Sequence, residues 1–79
     1  MTGWDAKVPG KVIRQERLRA RMSQEVLSGL AGIARSHLSM IETGEKQANF
    51  CTIWRIAQAL GMQPSQLVQR METYQEEMR

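Results

Sequence analysis

The sequence predicts an all-α protein of five helices and no strand, folded as one small domain. Three observations lead there. Apolar residues recur at helical spacing along the chain; Ser23, Asn49 and Pro64 mark helix starts while Gly32, Gly44 and Gly61 mark helix ends; and 79 residues are too few for two independent cores.

Helix 1 is expected from about Gly10 to Arg21, burying Ile13 and Leu18, with Pro9 just ahead of it as a breaker. Helix 2 announces its start twice. The Ser23 hydroxyl can accept from an orphan backbone N–H of the first turn, and the Glu25 carboxylate sits where the positive end of the helix dipole favours it. Val26, Leu27, Leu30 and Ala31 then form one apolar face, until Gly32 supplies a residue able to take positive φ just past a helix end. Helix 3 begins after only two more residues. Leu38 and Ile41 are expected to face inward with Ala34, Arg35, Ser36, Ser39 and Met40 to lie outward, and Gly44 to close the helix. Helix 4 runs from the N-cap Asn49 to Leu60, with Phe50, Ile53, Trp54, Ala57 and Leu60 making a wide apolar stripe before Gly61 ends it. Pro64 opens helix 5, where its missing N–H costs nothing.

The pattern allows helix 5 an extension. Leu67, Met71, Tyr74 and Met78 recur at i, i+4, i+7 and i+11, the seam of a short coiled-coil-like contact on which two copies can pair. In the alternative, Leu67 and Val68 finish the core of one chain while Gln75, Glu76 and Glu77 fray in solvent. The resulting division is a flexible arm over residues 1–9, the main domain over 10–70 and a C-terminal helical extension over 71–79.

The formal charge is +3 and unevenly spread. Residues 1–22 carry Lys7, Lys11, Arg14, Arg17, Arg19 and Arg21 against Asp5 and Glu16, whereas residues 23–46 set Arg35 and Lys46 against Glu25, Glu42 and Glu45. Attraction to a polyanion must therefore come mainly from the N-terminal region. No apolar run approaches a membrane span and no signal-peptide-like stretch is present, so a cytoplasmic location is expected. The single cysteine, Cys51, cannot form an intramolecular disulfide and is expected to be a buried or half-buried thiol at the start of helix 4; a redox-sensing thiol is the other reading. One histidine gives no metal cluster, and no acid, base and nucleophile group together, so neither a metal, a cofactor nor an enzymatic activity is expected.

So short a turn between helices 2 and 3 holds them at a steep angle, the geometry of a helix-turn-helix unit. One helix of such a unit can lie across DNA phosphates while the other points its N-terminal residues at base edges. Residue by residue, the chain resembles the lambda-repressor-like, or Xre-type, helix-turn-helix family. The matching positions are Ile13-Arg14 with Arg17, Ser23-Gln24-Glu25 with Leu27, Ala31-Gly32-Ile33, Arg35-Ser36, Leu38-Ser39, Ile41-Glu42, Gly44, Ile56-Ala57 and Ala59-Leu60-Gly61, covering roughly residues 11–70. The chain departs from the pattern at Arg21 in place of glycine, Ala34 in place of a serine N-cap, Met40 in place of arginine or glutamine, and Glu45 in place of lysine.

The resemblance implies a DNA-binding transcription regulator of a prokaryotic cell, phage or plasmid. Under it, Arg35, Ser36, Ser39 and Met40 are the candidates for base contact. Arg35 has the planar fork that pairs bidentately with guanine, and Met40 can offer its methylthio group to a thymine methyl. Each has a plainer reading: a phosphate-bound or solvated Arg35, serines that merely fill the surface, a partly buried Met40. Gln24, His37, Thr43, Lys46, Gln47 and Asn49 are the candidates for phosphate contact, and Arg17 and Glu42 are expected to form a salt bridge joining helix 1 to the end of helix 3. For the arm, one reading brings Lys7 and Lys11 to DNA, and the other leaves a flexible tail with Trp4 loosely packed on the body. A homodimer is expected because one recognition helix reads only a few base pairs, whereas two-fold proteins bind half-sites about 34 Å apart. The functional alternative is an antitoxin-like module that binds a protein partner, with DNA binding secondary.

Overall fold

Each helix stands where a cap or a stop permits it. In the computed structural model, which describes residues 3–78, these are α1 (Val8–Arg19), α2 (Gln24–Ala31), α3 (Arg35–Thr43), α4 (Phe50–Ala59) and α5 (Pro64–Glu77), with no strand among the described residues. Ser23 caps α2 by accepting from the Val26 N–H at 3.0 Å, and Asn49 caps α4 by accepting from Thr52 at 2.8 Å. At the other ends, Gly32 and Gly44 adopt φ of 73° and 85°, which L side chains rarely tolerate. The all-α, five-helix architecture expected from the sequence is therefore present, with α5 extended to 14 residues.

Helix α1 packs on α3 and α5, α2 packs on α3 and α4, and α4 closes on α5. Their shared core consists chiefly of Val8, Val12, Ile13, Leu27, Leu38, Ile41, Ile56 and Leu67, all essentially sealed from solvent. One contact fixes the α1–α3 distance. A Cβ placed on Gly10 would stand 2.0 Å from the carbonyl oxygen of Ile41, so the two backbones touch with no room for a side chain.

Several boundaries and burials differ from the sequence reading. Pro9 does not precede helix 1 but sits inside its first turn, where an N–H is not needed. Val8 belongs to the core, so the arm is shorter than residues 1–9 and the domain does not begin at 10. The described part of that arm is tied down: the Asp5 N–H donates to Gln75 Oε1 at 3.3 Å, and Gln75 Nε2 donates to the Gly3 carbonyl at 3.0 Å. Trp4 is 57% exposed. Leu18 faces solvent because Glu16 and Arg17, each with an ion-pair partner, take the inward face of α1. Val26 and Leu30 lie one residue, about 100° of helix rotation, away from the buried Leu27 and Ala31, and both are exposed. Ala34 is exposed as well, outside the face carrying Leu38 and Ile41.

The stripe expected on α4 was too wide for one helix face. Thr52, Ile53, Ile56 and Ala57 face the core, which turns Phe50 and Trp54 outward at 63% and 46% exposure. Cys51 is exposed too, not buried or half-buried. On α5 the coiled-coil seam is already occupied. Leu67 and Met71 are buried in the core of the single chain and Tyr74 packs half-buried against it, leaving only Met78 exposed. A second copy thus finds no Leu67–Met71 seam to pair with.

Candidate nucleic-acid interface

The site is the outer face of α3 and what holds that helix in place. Arg35 opens the helix, and with Ser36, Ser39, Met40 and Thr43 it falls within an arc of about 140° on a 3.6-residue turn. Arg35, Ser36 and Thr43 are exposed, whereas Ser39 and Met40 are half-buried. Side chains at the first turn can therefore reach outward furthest. Ala34 stands at the N-cap with an extended backbone and no side-chain hydrogen bond to offer the first turn.

The opposite end of α3 is clamped. Arg17 Nε donates to Glu42 Oε2 at 2.7 Å and Nη2 to Oε1 at 3.0 Å, a bidentate pair with the two side chains only 9% and 2% exposed. The hydrogen bonds that Arg17 donates to the Glu42 carboxylate raise its guanidinium above the ordinary pKa, burial opposes that rise, and the Glu42 charge adds to it. Arg17 also donates from Nη1 to the Met22 carbonyl at 2.9 Å, so the pair reaches the α1–α2 turn. The expected salt bridge between helix 1 and the end of helix 3 is present.

The expected phosphate contacts divide into two groups. Lys46 and Gln47 are exposed on the loop after α3, His37 is half-buried, and Thr43 Oγ1 donates to the Met40 carbonyl at 3.1 Å and towards the Glu45 carboxylate at 3.4 Å. Asn49 spends its side-chain oxygen on the α4 cap, so only its amide N–H groups remain for a phosphate. Gln24 turns inward instead: half-buried, it donates from Nε2 to Glu42 Oε1 at 3.0 Å. From the other side, the stem of Lys7 lies over Gly44, 3.0 Å from where a Cβ would stand, so the N-terminus of α1 adjoins the end of α3. Among the described residues, Lys7, Lys11, Arg14, Arg21, Arg35, Lys46 and Arg55 have no ion-pair partner, while Arg17, Arg19 and Arg70 are engaged by Glu42 and Glu16.

Sequence reasoning missed two features of this region. Arg21, at the turn leading into α2, has φ of 58° without being glycine; its place where the family carries glycine was the available signal. Gly10 had none, because only the packed pair of helices shows what its missing side chain permits.

A helix-turn-helix family model matches residues 13–67, the span from the middle of α1 to the start of α5. The chain belongs to the Xre-type helix-turn-helix family of DNA-binding regulators. It is 38% identical to control protein C.BamHI of Bacillus amyloliquefaciens over 60 residues, which cover 75% of this chain and 74% of that protein. The restriction-modification controller protein C.AhdI from Aeromonas hydrophila superposes with a TM-score of 0.76 at 32% identity, covering 80% of this chain and 96% of that one. The clp gene regulator ClgR from C. glutamicum gives a TM-score of 0.80 at 17% identity over 87% of this chain and 90% of its own, a likeness of fold alone. These relatives are regulators rather than enzymes, and no described helix is long and apolar enough to cross a membrane.

Proposed function

We propose that the chain is a sequence-specific double-stranded DNA-binding transcription regulator that acts as a homodimer on a palindromic operator, with α3 in the major groove. The carrying observation is an exposed reading end on an immobilised helix: Arg35 and Ser36 face solvent at one end of α3 while the buried Arg17–Glu42 pair fixes the other. Arg35 reads guanine through its O6 and N7, Ser36 and Ser39 meet base or phosphate, and Met40 lies against a thymine methyl. Lys46, Gln47, Thr43, His37 and the amide of Asn49 anchor phosphates. The likeness to C.AhdI, a restriction-modification controller protein, and to C.BamHI, a control protein, supports the control of a restriction-modification system as the biological task; a DNA target goes with a cytoplasmic location.

With Leu67 and Met71 inside the core, the dimer forms over the outer face of α4. Phe50 and Trp54 pack edge to face there with ring centroids 6.1 Å apart. Each of the two residues leaves on the order of 100 Å² exposed, so two copies together offer about 400 Å² of surface from Phe50 and Trp54 as the centre of an interface needing roughly 1,200 Å². Aromatic anchors ringed by polar groups are the usual hot spots of such contacts.

Selection of binding sites from random duplex DNA, at two salt concentrations, tests the reading. It predicts a palindrome with half-sites about 34 Å apart, relaxed at one position per half-site in Arg35→Ala. Enrichment of no sequence would sink it in favour of a protein-interaction module. Sedimentation of the Phe50→Ser/Trp54→Ser double variant is expected to show a folded monomer; an intact dimer would move the interface elsewhere.

A further inference from the structure

Gln24 is the first residue of α2, and family resemblance assigns its side chain to a phosphate. The structure uses that side chain differently. Its Nε2 donates to Glu42 Oε1 at 3.0 Å, the same oxygen that receives Arg17 Nη2 at 3.0 Å. Glu42 therefore accepts three hydrogen bonds from two elements, while Arg17 carries the network to the Met22 carbonyl on the turn before α2. The start of α2 is thereby bonded to the last turn of α3, and the other end of α2 is joined to the start of α3 through the turn at Gly32. With α2 packed on α3 and α3 clamped to α1 by the Arg17–Glu42 pair, this bond adds a direct polar link between α2 and α3 at the end far from the turn, which fixes the angle between them.

We propose that Gln24 is a positioning residue for base reading: its amide locks the recognition helix to the start of α2, so that α3 meets base edges in one orientation. The proposal rests on the reading of α3 as the base-contacting helix. Its consequence is specific. Loss of the amide lowers discrimination between sequences, whereas loss of a simple phosphate contact weakens binding to all sequences alike. Hydrogen bonds to a buried carboxylate are among the stronger ones, and an isosteric apolar side chain at position 24 removes this donor without leaving a hole.

Gln24→Met and Gln24→Lys are the informative variants, since lysine restores a donor to Glu42 and methionine does not. Affinity for the selected operator and for a scrambled duplex of equal length gives the discrimination ratio. In Gln24→Met that ratio is expected to fall roughly tenfold, the effect of one misread base pair, with scrambled-duplex affinity unchanged. In Gln24→Lys the ratio recovers. Amide hydrogen exchange without DNA supplies a second readout: protection in the last turn of α3 drops in Gln24→Met, is kept in Gln24→Lys, and is unaltered in α4. Equal weakening on both duplexes, an unchanged ratio, or unchanged protection of α3 in Gln24→Met overturns the proposal. Should the unmodified protein prefer no sequence, the α3 reading fails and exchange alone decides whether Gln24 holds the helix.

Discussion

Gly10→Ala is expected to destabilise the domain even though alanine is the better helix former. In an open helix position the exchange gains up to about 1 kcal/mol. At Gly10 the new Cβ would lie 2.0 Å from the Ile41 carbonyl oxygen, 3.0 Å from its carbon and 3.1 Å from Glu42 Cα. An ordinary carbon–oxygen contact is about 3.3 Å, so α1 and α3 must part by roughly 1.3 Å at this point. Backbone cannot rotate away as a long side chain can, and the displacement loosens Val8, Ile13 and Ile41 in the core beside it. Overpacking typically costs about 1–3 kcal/mol, and a clash with unyielding backbone stands at the upper end, about 3 kcal/mol, which leaves a net loss of about 2 kcal/mol after the helix gain. For a domain of this size that corresponds to a fall in Tm of roughly 10 °C. Thermal unfolding followed by circular dichroism, at one protein concentration for all variants, measures it. Gly29→Ala is the control, because a Cβ on Gly29 meets nothing within 4 Å, and its Tm is expected to rise. If Gly10→Ala melts as high as the unmodified chain while Gly29→Ala gains, the backbone contact between α1 and α3 does not limit stability and the reasoning fails.

Three other substitutions follow from the same geometry. Arg17→Ala leaves the Glu42 carboxylate buried without its cation and is expected to cost about 3–5 kcal/mol in urea unfolding; a shift of under 1 kcal/mol would show the pair to be dispensable. Arg21→Gly relieves a left-handed backbone of φ 58° and is expected to stabilise the chain by about 1 kcal/mol, read as a higher urea midpoint at unchanged slope. Ala34→Ser supplies the missing N-cap of α3, where φ of −68° and ψ of 144° already place a serine hydroxyl to accept from the His37 N–H; a gain of about 1 kcal/mol is expected, and no change in midpoint would contradict that geometry.

Local rules made the helices legible. Ser23, Asn49, Gly32 and Gly44 act on backbone groups a few residues away, so their effect is fixed wherever the chain folds, and α2, α3 and α4 stand close to where these residues place them. The Arg17–Glu42 pair was legible for another reason: the family pattern already spans the two helices it joins. Burial was less so. Phe50, Trp54, Leu18, Val26 and Leu30 fit helical periodicity as well as their buried neighbours do, and periodicity cannot say which side of a broad apolar stripe meets another helix.

On α5 the same ambiguity took a different form. Spacing at four and three residues describes a surface that prefers to be covered, by a second chain or by the rest of its own, and packing of α5 on α1 and α4 chose the latter for Leu67 and Met71. Sequence by itself thus determined where helices start and stop, and that two of them form a helix-turn-helix unit. Only tertiary packing decided the contact of Gly10 with Ile41, the inward turn of Gln24 onto Glu42 and the aromatic face left open on α4. Caps and stops act over one helical turn, whereas contacts between residues 18 to 31 positions apart exist only once the helices have closed on one another.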